Sequence, residues 1–246
     1  SWRSHCWGAG VQRAEWLQLL GLAEDEVPQL LVLEGTWWRE KALAARLPLL
    51  TEVRETGMPD LWWGRWKGVP VAYCTAYGAA RAVEPVHVLG LCGTPVAVQI
   101  GSCGGLQPHV RTGDIVLSSA ATIGEGASRY YGGAGVSRPD PELVTKAASL
   151  LDGPVHVGPT VSTDALLAQP PALIEQWAGA GHLGVDMETS AVFSAAAAFG
   201  VRAVSVLFVW DELPGRYWTE AFEPAEIVAQ QRASAALFPA ALDLLP

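Results

Sequence analysis

The chain has 246 residues, half of them hydrophobic and only 17% charged, with a formal net charge of -9. That composition excludes a disordered chain, and the length allows one large α/β domain or two small ones with an ample core. The acidity argues against a nucleic-acid partner, since a binder of phosphate backbones needs a basic face; ordinary solubility accounts for it fully.

From the amino terminus, residues 1–10 carry Trp, Arg and His where a signal peptide needs a basic start and an apolar core. No apolar run approaches the length of a membrane span. Residues 11–20 have apolar positions near helical spacing, so residues 1–28 are expected to be an extension ahead of a domain covering 29–246. A strand is predicted at 29–33 (QLLVL), then a helix over 36–47 with Thr36 as N-cap and a stop before Pro48. Residues 62–66 (WWGRW) form a hairpin through Lys67-Gly68 with a strand at 69–75 (VPVAYCT). A helix over 79–91 follows Gly78, and strands follow at 95–100 (PVAVQI) and 115–118 (IVLS). The helix at 141–151 has Asp140 as cap and Pro141 at its first position. After a strand at 155–161, an Ala-rich helix spans 188–199 and stops at Gly200. A last strand at 203–209 (AVSVLFV) precedes a helix over 224–244, with Pro239 as the point where it could break.

Several strands are apolar almost throughout, as strands covered by helices on both faces must be. No internal repeat or linker divides the chain. The fold class is therefore α/β: a single domain with a central, mixed, twisted β-sheet flanked by helices. The four cysteines form no C-x-x-C pair and share no metal-ligand spacing with the five histidines, so they read as reduced thiols of a cytoplasmic protein with no metal site. Eleven tryptophans, several in doublets, point to core or interface packing more than to ligand stacking.

Four segments place small or charged residues where strands end. In LEGTWWRE (33–40) a strand turns through Gly35 into a helix whose first turn carries Arg39, an arrangement that suits an anion; a tight turn with a solvated Arg39 is the plain alternative. In VQIGSCGGLQPHVRTGD (98–114) the glycines let a ligand approach the main chain, although a turn packed on a helix explains them equally well. It is not a P-loop, a dinucleotide fingerprint or a nucleophile elbow. In GVDMETSA (184–191) Asp186 and Glu188 alternate, so in extended backbone one faces structure and the other a pocket; that both cap the helix at 188–199 electrostatically is the equal alternative. In VWDELPG (209–215) Asp211 follows an apolar strand, beyond whose carboxyl end α/β sheets bind ligands.

In this order and spacing the four segments resemble the bacterial nucleoside phosphorylase family: hexameric purine nucleoside phosphorylase, uridine phosphorylase and, as a hydrolytic branch, methylthioadenosine/S-adenosylhomocysteine nucleosidase. IGSCGGLQPHVRTGDIV (100–116) is closest to the purine phosphorylases, GVDMETSA resembles a ribose-binding motif centred on Met-Glu, and LEGTWWRE resembles a Gly-Asp-Pro-x-Arg phosphate turn. The resemblance spans about residues 29–235 and implies a three-layer fold that cleaves purine (deoxy)ribonucleosides by phosphorolysis, yielding free base and (deoxy)ribose 1-phosphate. It implies Glu188 at the ribose hydroxyls with Met187 on the sugar, and Asp211 as the acid at purine N7, which needs a raised pKa. Phosphate falls to Gly35, Arg39 and Ser102, with Arg54 lent by a neighbouring subunit; ribose and base contacts fall to Val185, Cys103, Gly104 and Leu166. No metal or organic cofactor is implied, phosphate being a co-substrate. The implied partners are small molecules, neither nucleic acid nor membrane, and the implied assembly is a homo-oligomer, hexamer or dimer, with active sites near the subunit interface.

This sequence departs from the pattern at two places. Thr36-Trp37 replaces Asp-Pro, and Gln99 stands where the family carries a phosphate-gripping arginine, three residues before Ser102. A neutral amide brings no charge to an anion site. Either Arg81 supplies the charge, or water replaces phosphate, in which case Glu40 aligns with the water-activating acid of the hydrolytic branch. A uridine phosphorylase is a further alternative, which Asp211 disfavours, as is a silent ligand-binding protein that has kept the fold.

Overall fold

The computed structural model describes residues 11–216 and 220–246. After α1 (Arg13–Leu20) come β1 (Leu30–Gly35), α2 (Arg39–Arg46), β2 (Thr51–Glu55), β3 (Leu61–Trp66), β4 (Val69–Thr75), α3 (Ala79–Cys92), β5 (Val96–Gly105) and β6 (Ile115–Gly124). Then follow β7 (Val136–Ser137), α4 (Pro141–Ser149), β8 (Val155–Thr163), α5 (Pro171–Gly179), β9 (Gly184–Asp186), α6 (Thr189–Phe199), β10 (Arg202–Glu212) and α7 (Pro224–Leu242).

The strands form one mixed sheet in the order β10-β6-β8-β9-β5-β1-β4-β3-β2, with β7 on β6. Because β10 also pairs with β5, strands β5, β10, β6, β8 and β9 close into a ring while β1, β4, β3 and β2 extend from it. Strand β5 is the hub, parallel to β1 and β10 and antiparallel to β9. One face is covered by α1, α3 and α6 through Leu17, Leu20, Val86, Leu89, Val192 and Phe193. The other is covered by α2, α4 and α7 through Leu43, Leu143, Ala147, Leu237 and Phe238. Helices on both faces explain why the strands read as continuous apolar runs. The segment ahead of β1 is bound into the same core: Leu17 and Leu20 are buried, and Trp63 Nε1 donates to the Glu26 carbonyl at 2.8 Å.

Local rules explain most element boundaries. Asp140 caps α4, its Oδ1 accepting the Leu143 N–H at 2.9 Å ahead of Pro141. Helix α6 ends on Gly200 in the left-handed region. The β3–β4 hairpin turns through Lys67 and Gly68, both at positive φ, as a tight two-residue connection requires.

Other boundaries depart from the sequence expectation. Helix α2 starts at Arg39 rather than residue 36, because Thr36 Oγ1 accepts the Trp38 N–H at 2.9 Å and holds a turn open instead of capping a helix. The glycine run 101–105 is strand rather than turn: partners on both sides of β5 take up its hydrogen bonds, and the ladder overrides glycine's low strand propensity. Pro239 lies inside α7 without ending it. Strands β2, β7 and β9 and helix α5 have no counterpart in the sequence reading; three are short or polar, and α5 buries none of its residues fully.

A buried ion pair joins the layers. Arg46 reaches Glu34 at 3.0 and 3.1 Å and the Ser234 carbonyl at 2.9 Å, and the Tyr73 hydroxyl donates to Glu34 at 2.6 Å. It links α2, β1, β4 and α7 directly behind the Gly35 turn. Among the described residues no helix is long and apolar enough to cross a membrane.

Candidate active site

The carboxyl half of β5 brings the four sequence segments together. Gly101 pairs with Gly35 at the end of β1, and Gly104 pairs with Val185 of β9 on one side and Asp211 of β10 on the other. Gly101 and Gly104 are three residues, roughly 10 Å, apart along the strand, a length that a sugar and its base cover together.

Asp186 and Glu188 separate as their alternation requires. Asp186 turns into structure: its Oδ2 accepts the Thr189 N–H at 2.9 Å and the Glu188 N–H at 3.3 Å, and its Oδ1 accepts from the Ser162 hydroxyl, so it closes the start of α6. Glu188 turns towards β1. Its Oε1 accepts the Gly78 N–H at 2.8 Å, and its carboxyl lies so close to Gly35 that a β-carbon there would stand 2.5 Å from Cδ. Only glycine allows that approach. Burial first, then the nearby Asp186 charge, pushes the Glu188 carboxyl up to about 8, against the Gly78 and Met187 N–H groups that favour the anion.

Asp211 follows a β-bulge in β10, where the register against β5 shifts between Val209 and Asp211. Bulges re-aim side chains beside sites, and here the carboxyl oxygen Oδ1 comes to 3.3 Å from where a Gly104 β-carbon would stand. Burial raises its pKa to about 6, opposed by Arg216. Two buried carboxyls, Glu188 against Gly35 and Asp211 against Gly104, thus hold their protons to higher pH than free carboxyls do, which marks both as candidates for proton transfer and hydroxyl binding.

The residues considered for an anion are dispersed. Gly35 ends β1 and the half-buried Ser102 lies in the carboxyl half of β5, but Arg39 is exposed and ion-paired with Asp60. Arg54 pairs with Glu26 at 2.8 Å and stacks on the Trp63 ring at 4.0 Å. Gln99, 1% exposed, is held inside the sheet: its Oε1 accepts from the Ser205 hydroxyl and lies 3.1 Å from Thr189 Oγ1, and its Nε2 donates to the Ile100 carbonyl at 3.2 Å. Arg81, the other source of charge considered, is bound to Glu84 and the Pro59 carbonyl. Glu40 is exposed on α2.

On the base side, Val185 packs with Leu106, Val161 and Leu213, and Cys103 with Val110, Val116, Leu207 and Val209. Both side chains are core, which leaves their main chain and that of Gly104 beside Asp211. Leu166 is half-buried in the turn after β8. Sequence reasoning missed the β4–α3 turn. Gly78 holds Glu188, the Tyr77 hydroxyl donates to Met187 Sδ at 3.3 Å, and the Trp37 and Tyr77 rings meet at 5.9 Å. In the sequence the turn's one signal is Gly78, which by itself marks only the start of a helix.

Residues 30–242 match the model of the Phosphorylase superfamily. A guanosine phosphorylase of Halorubrum lacusprofundi is 32% identical over 149 residues, 58% of this chain and 62% of that protein. A purine nucleoside phosphorylase of DeoD type from Geobacillus kaustophilus is 33% identical over 208 residues, 79% of this chain and 85% of that one. The crystal structure of a uridine phosphorylase from Vibrio fischeri ES114 superposes with a TM-score of 0.77 at 21% identity, covering 97% of this chain and 99% of its own, which is a likeness of fold. Matched from its first sheet strand to its last helix, with the motif residues gathered at the end of β5, the chain belongs to the phosphorylase superfamily and is an enzyme of the nucleoside phosphorylase family.

Proposed function

We propose that the enzyme cleaves the N-glycosidic bond of purine nucleosides, with inorganic phosphate as acceptor and a pentose 1-phosphate and free base as products. The observation that carries this reading is the pair of buried carboxyls at either end of the glycine segment: Glu188 behind Gly35 and Asp211 beside Gly104. Bond cleavage builds positive charge on the sugar and negative charge on the departing base. Glu188 binds the ribose hydroxyls, with Met187 packed against it. The positive charge that develops on the sugar favours the ionised form of Glu188, which burial and Asp186 otherwise disfavour. Asp211, protonated until about pH 6, delivers a proton to the base. Purines present a ring nitrogen that can take that proton, which is why Asp211 favours them over uridine.

Phosphate is received by the Gly35 turn and the Ser102 hydroxyl. Arg39 turns from Asp60, and Arg54 of a neighbouring copy completes the charge, in a homo-oligomer with its sites near the subunit contacts. The chemistry calls for no metal or organic cofactor. Buried thiols at Cys74, Cys92 and Cys103 suit a reducing, cytoplasmic setting.

A second reading, hydrolysis, is favoured by one observation: the Gln99 amide already has partners at both its ends and carries no charge. Inosine, adenosine, methylthioadenosine and uridine, each incubated with and without phosphate, decide the matter. Purine release that requires phosphate supports the first reading. Full turnover to free ribose in phosphate-free buffer refutes it in favour of water, and uridine cleavage without purine cleavage refutes the base assignment. Glu188→Ala must abolish turnover in every case; retained activity would remove Glu188 from the mechanism.

A further inference from the structure

Trp37 is 55% exposed and Tyr77 39% exposed, on adjoining turns after the neighbouring parallel strands β1 and β4. Large aromatic rings in water forgo burial that would stabilise the fold, so their placement calls for a reason. The rings meet at 5.9 Å, tilted by 58°. The Tyr77 hydroxyl donates to the Met187 thioether at 3.3 Å, and the next residue, Gly78, donates its N–H to Glu188. Burial, together with the Glu188 carboxylate, keeps this phenol protonated, against a hydrogen bond from Trp37, so it remains a donor. Consecutive residues of one turn therefore hold both members of the Met187-Glu188 pair.

We propose that Tyr77, braced by the Trp37 ring, is a positioning residue for the sugar side of the site: its hydroxyl pins the Met187 side chain in the orientation that packs against the pentose. A methionine has three rotatable side-chain bonds and does not hold one shape unaided. Beside it, the Glu188 carboxyl is already fixed by Gly78, so a mobile Met187 would leave the sugar located on one side only. The inference rests on the reading that Met187 and Glu188 receive a pentose.

Met187 contacts the sugar equally before and during bond cleavage. Its loosening therefore weakens ground-state and transition-state binding together, raising KM and sparing kcat. For Tyr77→Phe, which removes one hydroxyl, KM for the preferred nucleoside is expected to rise roughly threefold to tenfold, as loss of one hydrogen bond implies, with kcat within about twofold by the same argument. In a Met187→Leu background the same substitution should add nothing to KM, since its partner is gone.

The chain has two methionines, Met58 and Met187, so methyl-13C methionine labelling yields two resolvable signals. Tyr77→Phe should shift the Met187 signal and leave that of Met58 in place. An unchanged KM, an equal KM effect in the Met187→Leu background, or an unmoved Met187 signal overturns the proposal. Loss of kcat accompanied by movement of the Met58 signal would mark Tyr77 as merely structural and overturn it as well. If the wild-type enzyme turned over no nucleoside, the reading of function would fail; the Met187 signal would then still report whether the Tyr77–Met187 contact exists, while the sugar-positioning role would fall with that reading.

Discussion

Replacing Asp211 with asparagine should stabilise the protein while impairing it. In the fold the Asp211 carboxyl is raised from 3.8 to about 6, chiefly by burial. The folded state thus keeps its proton to higher pH than the unfolded chain does. Stability therefore declines as pH rises from about 3.8 to about 6, and is level above that. A shift of about two pKa units corresponds to about 3 kcal/mol at pH 7.5, but to only about 1 kcal/mol at pH 4.5, where the unfolded chain is only partly further ionised. Asparagine has nearly the same shape and no charge, so neither a cavity nor a desolvation cost replaces the one removed.

Urea unfolding of Asp211→Asn and wild type at pH 4.5 and 7.5 should show a gain that grows by about 2 kcal/mol between the two. Activity should move the other way. Purine nucleosides lose their proton donor and about 10²–10⁴ in kcat/KM, whereas substrates with activated leaving groups, which need no proton, remain near wild type. A variant less stable than wild type at pH 7.5, or a gain independent of pH, would refute the account of the buried carboxyl. Equal losses on both kinds of substrate would refute the general-acid role.

Gly35→Ala places a methyl group 2.5 Å from the Glu188 carboxyl carbon, so the carboxyl must leave the Gly78 N–H; kinetics should show a loss in kcat/KM of at least about 10², and unfolding a cost of about 1–3 kcal/mol. Gln99→Arg puts a guanidinium among the Thr189 and Ser205 hydroxyls at a site 1% exposed. Thermal unfolding should register a cost of about 3 kcal/mol, relieved by added phosphate more than wild type is; identical responses to phosphate would mean that position 99 does not face the anion. Arg46→Met strands the buried Glu34 carboxylate and should cost about 3–5 kcal/mol, whereas the double variant with Glu34→Gln should cost clearly less in the same denaturant titration.

Sequence alone determined the fold class and most of the elements. Apolar runs at 69–75, 95–100 and 203–209 have to be strands covered on both faces, and Asp140-Pro141 and Gly200 mark helix ends by local chemistry that tertiary contacts did not alter. The alternation of Asp186 and Glu188 required that, in extended backbone, one face structure and the other a pocket; Asp186 closes the start of α6 and the buried Glu188 turns towards Gly35, because two-residue periodicity is a property of the backbone. Tertiary structure decided what lies far apart in the chain. That 101–105 is strand depends on partners 66 to 107 residues away along the chain at Gly35, Val185 and Asp211. That Gln99 is held by Ser205, that Arg39 turns to Asp60 and that Tyr77 reaches Met187 depends on long-range packing, which no local pattern encodes. The glycines between Gln99 and Leu106 carry both lessons. Their small size was visible in the sequence, and what it makes room for, the Gly35 carbonyl at Gly101, Leu213 at Gly104 and the Val110 carbonyl at Gly105, came from the elements that flank them.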